Sequence, residues 1–206
     1  SAWNLVESVP SLEHCLKYDA LFIGGSGEFC ISNRDQPNLE GYLDVLATLV
    51  SRNHPTFGVC YGYQSLADVL GGKVEHVAGK SEVGTYQVHL TPEAQSDPLL
   101  SQLPIEFNAQ QGHKDHVTVQ PTAGLNLAMS DRCPNQAFRV EDKPIWGVQF
   151  HPELTRTTNK ERFLNYLEDY SKAFSEEEQS RIMSGFDESP EASTLMQKFL
   201  DLVFSN

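Results

Sequence analysis

Basic charge is what this chain has least of. Against 28 acidic residues stand only 15 lysines and arginines, a formal net charge of -13 over 206 residues. That sign argues against nucleic acid or an anionic membrane surface as a partner, since both would repel the chain. Cysteine is sparse too, at positions 15, 30, 60 and 133, with no C-x-x-C pair. Such spacing suits neither a disulfide framework nor a zinc site; it fits a reducing compartment, and a cytoplasmic location is expected. No run is long and apolar enough to span a membrane, and no secretory signal is visible. The first residue is Ser1 rather than Met, from which a trimmed N-terminus is expected. No G-x-G-x-x-G leads into a helix, which excludes the dinucleotide fingerprint. No internal repeat and no linker long enough to separate domains is present.

What remains is an ordinary globular composition, 39% hydrophobic and 21% charged. The length suits one well-cored α/β domain with additions. Read in order, Trp3 to Val9 is expected as an edge strand and Ser11 to Leu16 as a short helix or turn. Tyr18 to Ile23 reads as a buried strand ending in Gly24-Gly25-Ser26-Gly27. An amphipathic helix is expected over Pro37 to Arg52, with Leu39, Tyr42, Leu43, Leu46 and Leu49/Val50 inward. Short strands follow at Thr85 to Leu90, Val117 to Val119 and Leu125 to Ala128, then a hairpin of Gln136 to Val140 and Ile145 to Phe150. Asn159 to Phe174 reads as a helix, Ser175 to Glu178 as a capping box opening another, and Ser189-Pro190 as the start of a last one.

Chemistry concentrates at Gly58-Val59-Cys60-Tyr61-Gly62-Tyr63-Gln64. The apolar run Phe57 to Val59 reads as a buried strand, and Ser65 to Leu70 carries a helical pattern closed by Gly71-Gly72. Cys60 between them, with glycines two residues either side, has the form of a nucleophile elbow. The glycines allow backbone segments to approach too closely for a β-carbon, and the helix N-terminus stabilises a thiolate. A buried inert core cysteine is the plain alternative. A thiol nucleophile needs a base, and the base an orienting acceptor. Both stand at the end of a second apolar strand, as His151-Pro152-Glu153, with Pro152 fixing the backbone so that both side chains can enter one cleft. The Gly24 to Gly27 loop could hold an oxyanion on its N–H groups, or serve only as a tight turn.

With its G-x-C-x-G-x-Q elbow and late H-P-E, the chain resembles the class I (triad-type) glutamine amidotransferases over roughly residues 18 to 172. The wording of both motifs is most similar to the amidotransferase half of GMP synthases. The resemblance implies an α/β fold with an open, mixed, mostly parallel sheet and helices on both faces. It implies Cys60 as nucleophile, His151 as base and acid, and Glu153 as its orienting group. It further implies an oxyanion site on the N–H groups of Gly27 and Tyr61, and contacts to glutamine from Gln64 and from the main chain near Lys114 and Asp115. No cofactor and no metal are implied. A metal reading of His113, Asp115 and His116 is the weaker one, for want of a further protein ligand. Tyr63 departs from the residues common at its position and is expected to reshape the pocket rim. Gly-Gly-Ser-Gly replaces the commoner loop, and the family's usual first strand and helix are not evident.

The implied function is hydrolysis of glutamine to glutamate and ammonia for a separate synthase, since no ATP-pyrophosphatase segment follows Thr155. A γ-glutamyl hydrolase or peptidase would use the same triad. A non-catalytic glutamine-binding or partner-binding module is the reading from a different class. Residues 1–174 are expected to form the amidotransferase domain. Residues 175–206, carrying Leu195, Met196, Phe199, Leu200, Val203 and Phe204, are expected to pack back on it as a helical extension.

Overall fold

The fold is built around two strands that are buried along their whole length, β2 (Thr56–Val59) and β9 (Ile145–Val148). The structure, a computed structural model, describes residues 2–167 and 174–205. The strand β1 (Leu21–Ile23) lies parallel to β2, and β2 lies parallel to β9 with Gly58 opposite Gly147. From there the sheet turns antiparallel through β8 (Ala137–Val140), β7 (Gly124–Met129), β4 (Glu82–Leu90) and β5 (Glu106–His113). A separate antiparallel pair joins β3 (Lys73–His76) to β6 (Asp115–Val119). The mixed α/β class stands as expected, but the sheet is not mostly parallel. In the seven-stranded sheet two ladders are parallel and four antiparallel. The reason lies in the connections: only the early strands are separated by helices long enough for parallel crossovers, while β7 to β9 follow one another by short turns.

Helices cover both faces. On one, α2 (Leu39–Ser51) and α3 (Tyr61–Val69) bury Leu43, Leu46, Tyr61 and Leu66 against Phe138 and Ile145. After the short α1 (Leu12–Cys15) come α4 (Arg156–Asn165), α5 (Glu176–Ser184) and α6 (Leu195–Phe204). On the opposite face α6 places Leu195 and Phe199 in a core with Phe57, Trp146, Val148 and Phe150. The Phe199 ring lies 5.4 Å from Phe22 and 5.4 Å from Phe57, centroid to centroid. Ser175 and Glu178 form the capping box that opens α5. The segment Trp3 to Val9 is a turn rather than a strand, closed by bonds from Glu7 and Ser8 N–H to Asn4 O. The helix expected over 159–174 begins earlier, at Arg156, where Thr155 and Thr158 cap it; residues 168–173 lie outside the described residues.

Candidate active site

Every element of the elbow has a steric cause. A β-carbon at Gly58 would sit 2.7 Å from the Gly62 backbone, and one at Gly62 would run into the Ile23 carbonyl of β1. Only paired glycines let the turn press between β1 and α3. Cys60, at the turn itself, has φ 51 and ψ -101, a conformation that costs a non-glycine residue about 1–3 kcal/mol. Its N–H is tied to Val148 O of β9 at 2.8 Å, and its carbonyl accepts the first helical bond from Gln64 N at 2.9 Å. The backbone is thus held on both sides, with the thiol facing a cleft at the sheet's carboxyl edge.

β9 ends at Val148, and the chain bends so that His151 N–H bonds Gln110 O of β5 at 2.8 Å. His151 is 3% exposed, and its Nδ1 lies 2.6 Å from Glu153 Oε1. Burial alone would push the imidazole's proton affinity down. Its neighbours Cys60 and Glu153 outweigh that and raise His151 to about 9. Glu153, which burial would push up, is instead held below the usual carboxylate range by the His151 imidazole, with a smaller contribution from Arg162. The buried Nε2 of His151 closes no hydrogen bond of normal geometry among the described residues, although it lies close enough to feel the Cys60 charge.

The cleft is about 630 Å³, walled by the loop Ser26 to Cys30, by Cys60, Tyr61 and Gln64, by Gly112 to Asp115, and by Arg162 and Tyr166 at the end of α4. Gln64, 3% exposed, donates its side-chain amide to Asp115 O and Gln149 Oε1, both at 3.1 Å. Asp115 Oδ2 accepts from Ser32 N at 3.0 Å, joining two opposite walls across 83 residues of sequence. Lys114 lines the same wall. Gly27 belongs to the cleft but lies under the Tyr166 hydroxyl, whereas a β-carbon on Gly25 would stand 2.8 Å from His151 Cε1 and 3.5 Å from Cys60 Cβ. Gly25 is therefore the loop glycine beside the reacting pair, a residue the motif alone did not single out.

Tyr63 does not shape the rim. It is fully buried, its hydroxyl bonds Asn135 O at 2.9 Å, and its ring packs on Phe138, because α3 turns that position toward Gly147 of β9. His113 engages both ring nitrogens, one with Asp115 O and one with Glu82 Oε2, each at 2.9 Å. That leaves it no lone pair for a metal. Glu82, Ser130 and Gln136, which complete this buried cluster, carry no motif and were not legible as site residues.

The family model of the class-I glutamine amidotransferases matches residues 5–167. A subunit of the glutamine-hydrolysing GMP synthase of Archaeoglobus fulgidus is 33% identical over 166 residues, covering 80% of this chain and 83% of that one. The glutamine-hydrolysing GMP synthase of Thermosipho africanus is 35% identical over 154 residues, 74% of this chain but only 28% of the relative's length. Among solved structures, a glutamine amidotransferase of Thermotoga maritima superposes with a TM-score of 0.75 at 20% identity, over 93% of this chain and 80% of that one. The chain belongs to the class-I glutamine amidotransferase family.

Proposed function

We propose that this chain hydrolyses the side-chain amide of glutamine and supplies the ammonia to a separate synthase. The observation that carries the reading is Cys60 on a strained elbow lining the cleft, beside the buried His151 that Glu153 holds at 2.6 Å. Cys60 Sγ attacks the amide carbon with the transferred proton already held on His151, which is raised to about 9. The oxyanion that forms lies between the N–H of Tyr61 and that of the loop, for which we assign Gly25 rather than Gly27 because Gly25 borders both reacting side chains. His151 then returns the proton to departing ammonia, leaving a glutamyl thioester that water cleaves with His151 again as base. Gln64 and the main chain at Lys114 and Asp115 hold the amino acid end. This chemistry needs no metal and no cofactor.

Support for a separate synthase comes from the Archaeoglobus relative, which is itself named as one subunit of a GMP synthase and whose length this chain largely spans. Against the Thermosipho protein the chain spans 28% of the length, so synthesis of a nucleotide by this chain alone is not proposed. Among the described residues no helix is long and apolar enough to cross a membrane. The free thiols of Cys15, Cys30, Cys60 and Cys133 support a cytoplasmic location, and the net charge of -13 a function without nucleic acid. The size of the cleft, within the range that takes ligands larger than an amino acid, keeps γ-glutamyl conjugates as a second substrate class. Incubation with glutamine and with γ-glutamyl dipeptides, following glutamate and ammonia, separates the two. Glutamate from neither would sink both.

Two further outcomes are expected. His151→Ala lowers turnover nearly as far as loss of the thiol, and Glu153→Ala less, because the carboxylate acts only through the imidazole. Steady-state kinetics reads this directly, and a Glu153 variant worse than the His151 variant would reverse the roles. The second concerns pH. Because His151 is raised to about 9, its proton is kept through neutral pH and lost as pH rises through that value, so activity falls on an alkaline limb near 9. Glu153→Gln removes one of the charges that retain the proton, and the limb moves down by about one unit. A limb that stays in place in that variant would contradict the assignment.

A further inference from the structure

Glu82 lies on β4 with no exposed surface, inside the protein and away from any solvent. Its two carboxylate oxygens accept from Ser130 Oγ at 2.6 Å, from Gln136 Nε2 at 2.6 Å and contact His113 Nε2 at 2.9 Å. Burial pushes the Glu82 carboxyl up, yet the His113 ring and the two neutral donors hold it below the usual carboxylate range, so it is ionised. The other nitrogen of His113, Nδ1, lies 2.9 Å from the carbonyl oxygen of Asp115. A carbonyl can only accept, so Nδ1 donates to Asp115 O while Nε2 engages Glu82. His113 is thus held between Glu82 on one side and the Asp115 peptide on the other. The same carbonyl receives Gln64 Nε2 from the elbow helix at 3.1 Å. The order of the chain of bonds is Ser130, Glu82, His113, Asp115 O, Gln64, and it ends one helical turn from the nucleophile.

The consequence is geometric. Asp115 O holds two donors at once, which fixes the 115–116 peptide and, because one donor is the His113 ring, ties the two ends of the 113–115 stretch that lines the cleft. We infer that Glu82 and His113 are positioning residues whose buried hydrogen-bonded pair holds the 113–115 main chain in the shape that receives the amino acid end of the substrate. Neither reaches the scissile bond. The inference rests on the glutaminase reading above, and its test is arranged so that the two fail separately.

The test uses two alkylating agents on the intact chain. Iodoacetamide is small and asks only that the Cys60 thiolate be present. A glutamine-like α-amino chloroketone must first seat its amino acid end on the 113–115 wall. Glu82→Gln keeps the shape but replaces one accepting oxygen by a donating amide, so the side chain can no longer accept from Ser130 and Gln136 and engage His113 as the carboxylate does. In that variant the iodoacetamide rate at Cys60 stays within about a factor of two of the unaltered protein. The chloroketone concentration for half-saturation and the KM for glutamine both rise by about 10- to 100-fold, with a smaller change in kcat. Glu82→Asp, which restores the charge, recovers part of the loss. His113→Gln, which leaves Glu82 its bonds from Ser130 and Gln136, gives the same split and serves if Glu82→Gln does not fold. An unchanged KM in a folded variant would overturn the inference. So would an equal slowing by both reagents, the mark of a purely structural role. An unaltered protein that the chloroketone fails to label would instead overturn the glutaminase reading.

Discussion

Cys60→Ala is expected to lower glutamate release at least about ten-thousand-fold while leaving glutamine binding largely intact. The substitution removes the bond-forming atom but none of the groups that wall the cleft. Labelling should agree. Of the four cysteines, Cys60 alone reacts quickly with a glutamine-like chloroketone, although Cys30 lines the same cleft. Burial, followed by the charge of Asp115, pushes the Cys30 thiol up to about 11, and burial pushes Cys133 up to about 12, so both stay protonated where Cys60 reacts. The backbone supplies a control. At φ 51, alanine keeps the strain of the native turn and glycine relieves it. Cys60→Gly should therefore be as inactive as Cys60→Ala but more stable by about 1 kcal/mol. Turnover close to that of the unaltered protein in either variant would remove Cys60 from the mechanism.

Phe199→Ala is expected to cost about 3–5 kcal/mol of stability. The ring has no exposed surface and meets Phe22, Phe57 and Trp146, the last at 5.9 Å, so truncation leaves a hole between α6 and the parallel strands. We propose on this basis that 175–206 is part of the amidotransferase domain rather than a tail kept for a partner. The middle of this segment is engaged too, since Gln110 Nε2 donates to Asp187 O at 2.9 Å and to Ser189 Oγ at 3.0 Å. Deleting 187–206 should then give an aggregated product. Thermal melting reads both changes, and a Phe199→Ala melting temperature equal to that of the unaltered protein would show that the helix is dispensable.

The parts of the site that could be read from the chain are those made by neighbours in sequence. Gly58, Cys60 and Gly62 define a turn within five residues, and His151 reaches Glu153 across one proline, so local spacing carries the geometry. What could not be read depends on pairings over long separations. Glu82 meets His113 across 31 residues, and Asp115 meets Ser32 across 83. β5 is hidden for a related reason. Asn108, Gln110 and Gln111 look like loop residues, yet the two glutamines are fully buried, their amides bonded to Asp187, Ser189 and Gln136. Trp3 to Val9 fails in the opposite way: it has strand-like apolar residues, but bonds within the segment close a turn there instead. The mostly parallel expectation came with the resemblance, and the hairpins that join β7 to β9 reverse it.

The bond from Ser32 N to Asp115 Oδ2 has a consequence for how substrate arrives. It ties the wall that follows the glycine loop to the wall that follows β5, and its acceptor is 3% exposed, out of reach of competing water. The spacing of these two segments is therefore set before any ligand enters. Glutamine meets a preorganised receptor, and the ordering of both walls is a cost met at folding and not at each encounter. Association of this kind resembles a key entering a fixed lock, with on-rates governed by diffusion and desolvation and not by a closing motion.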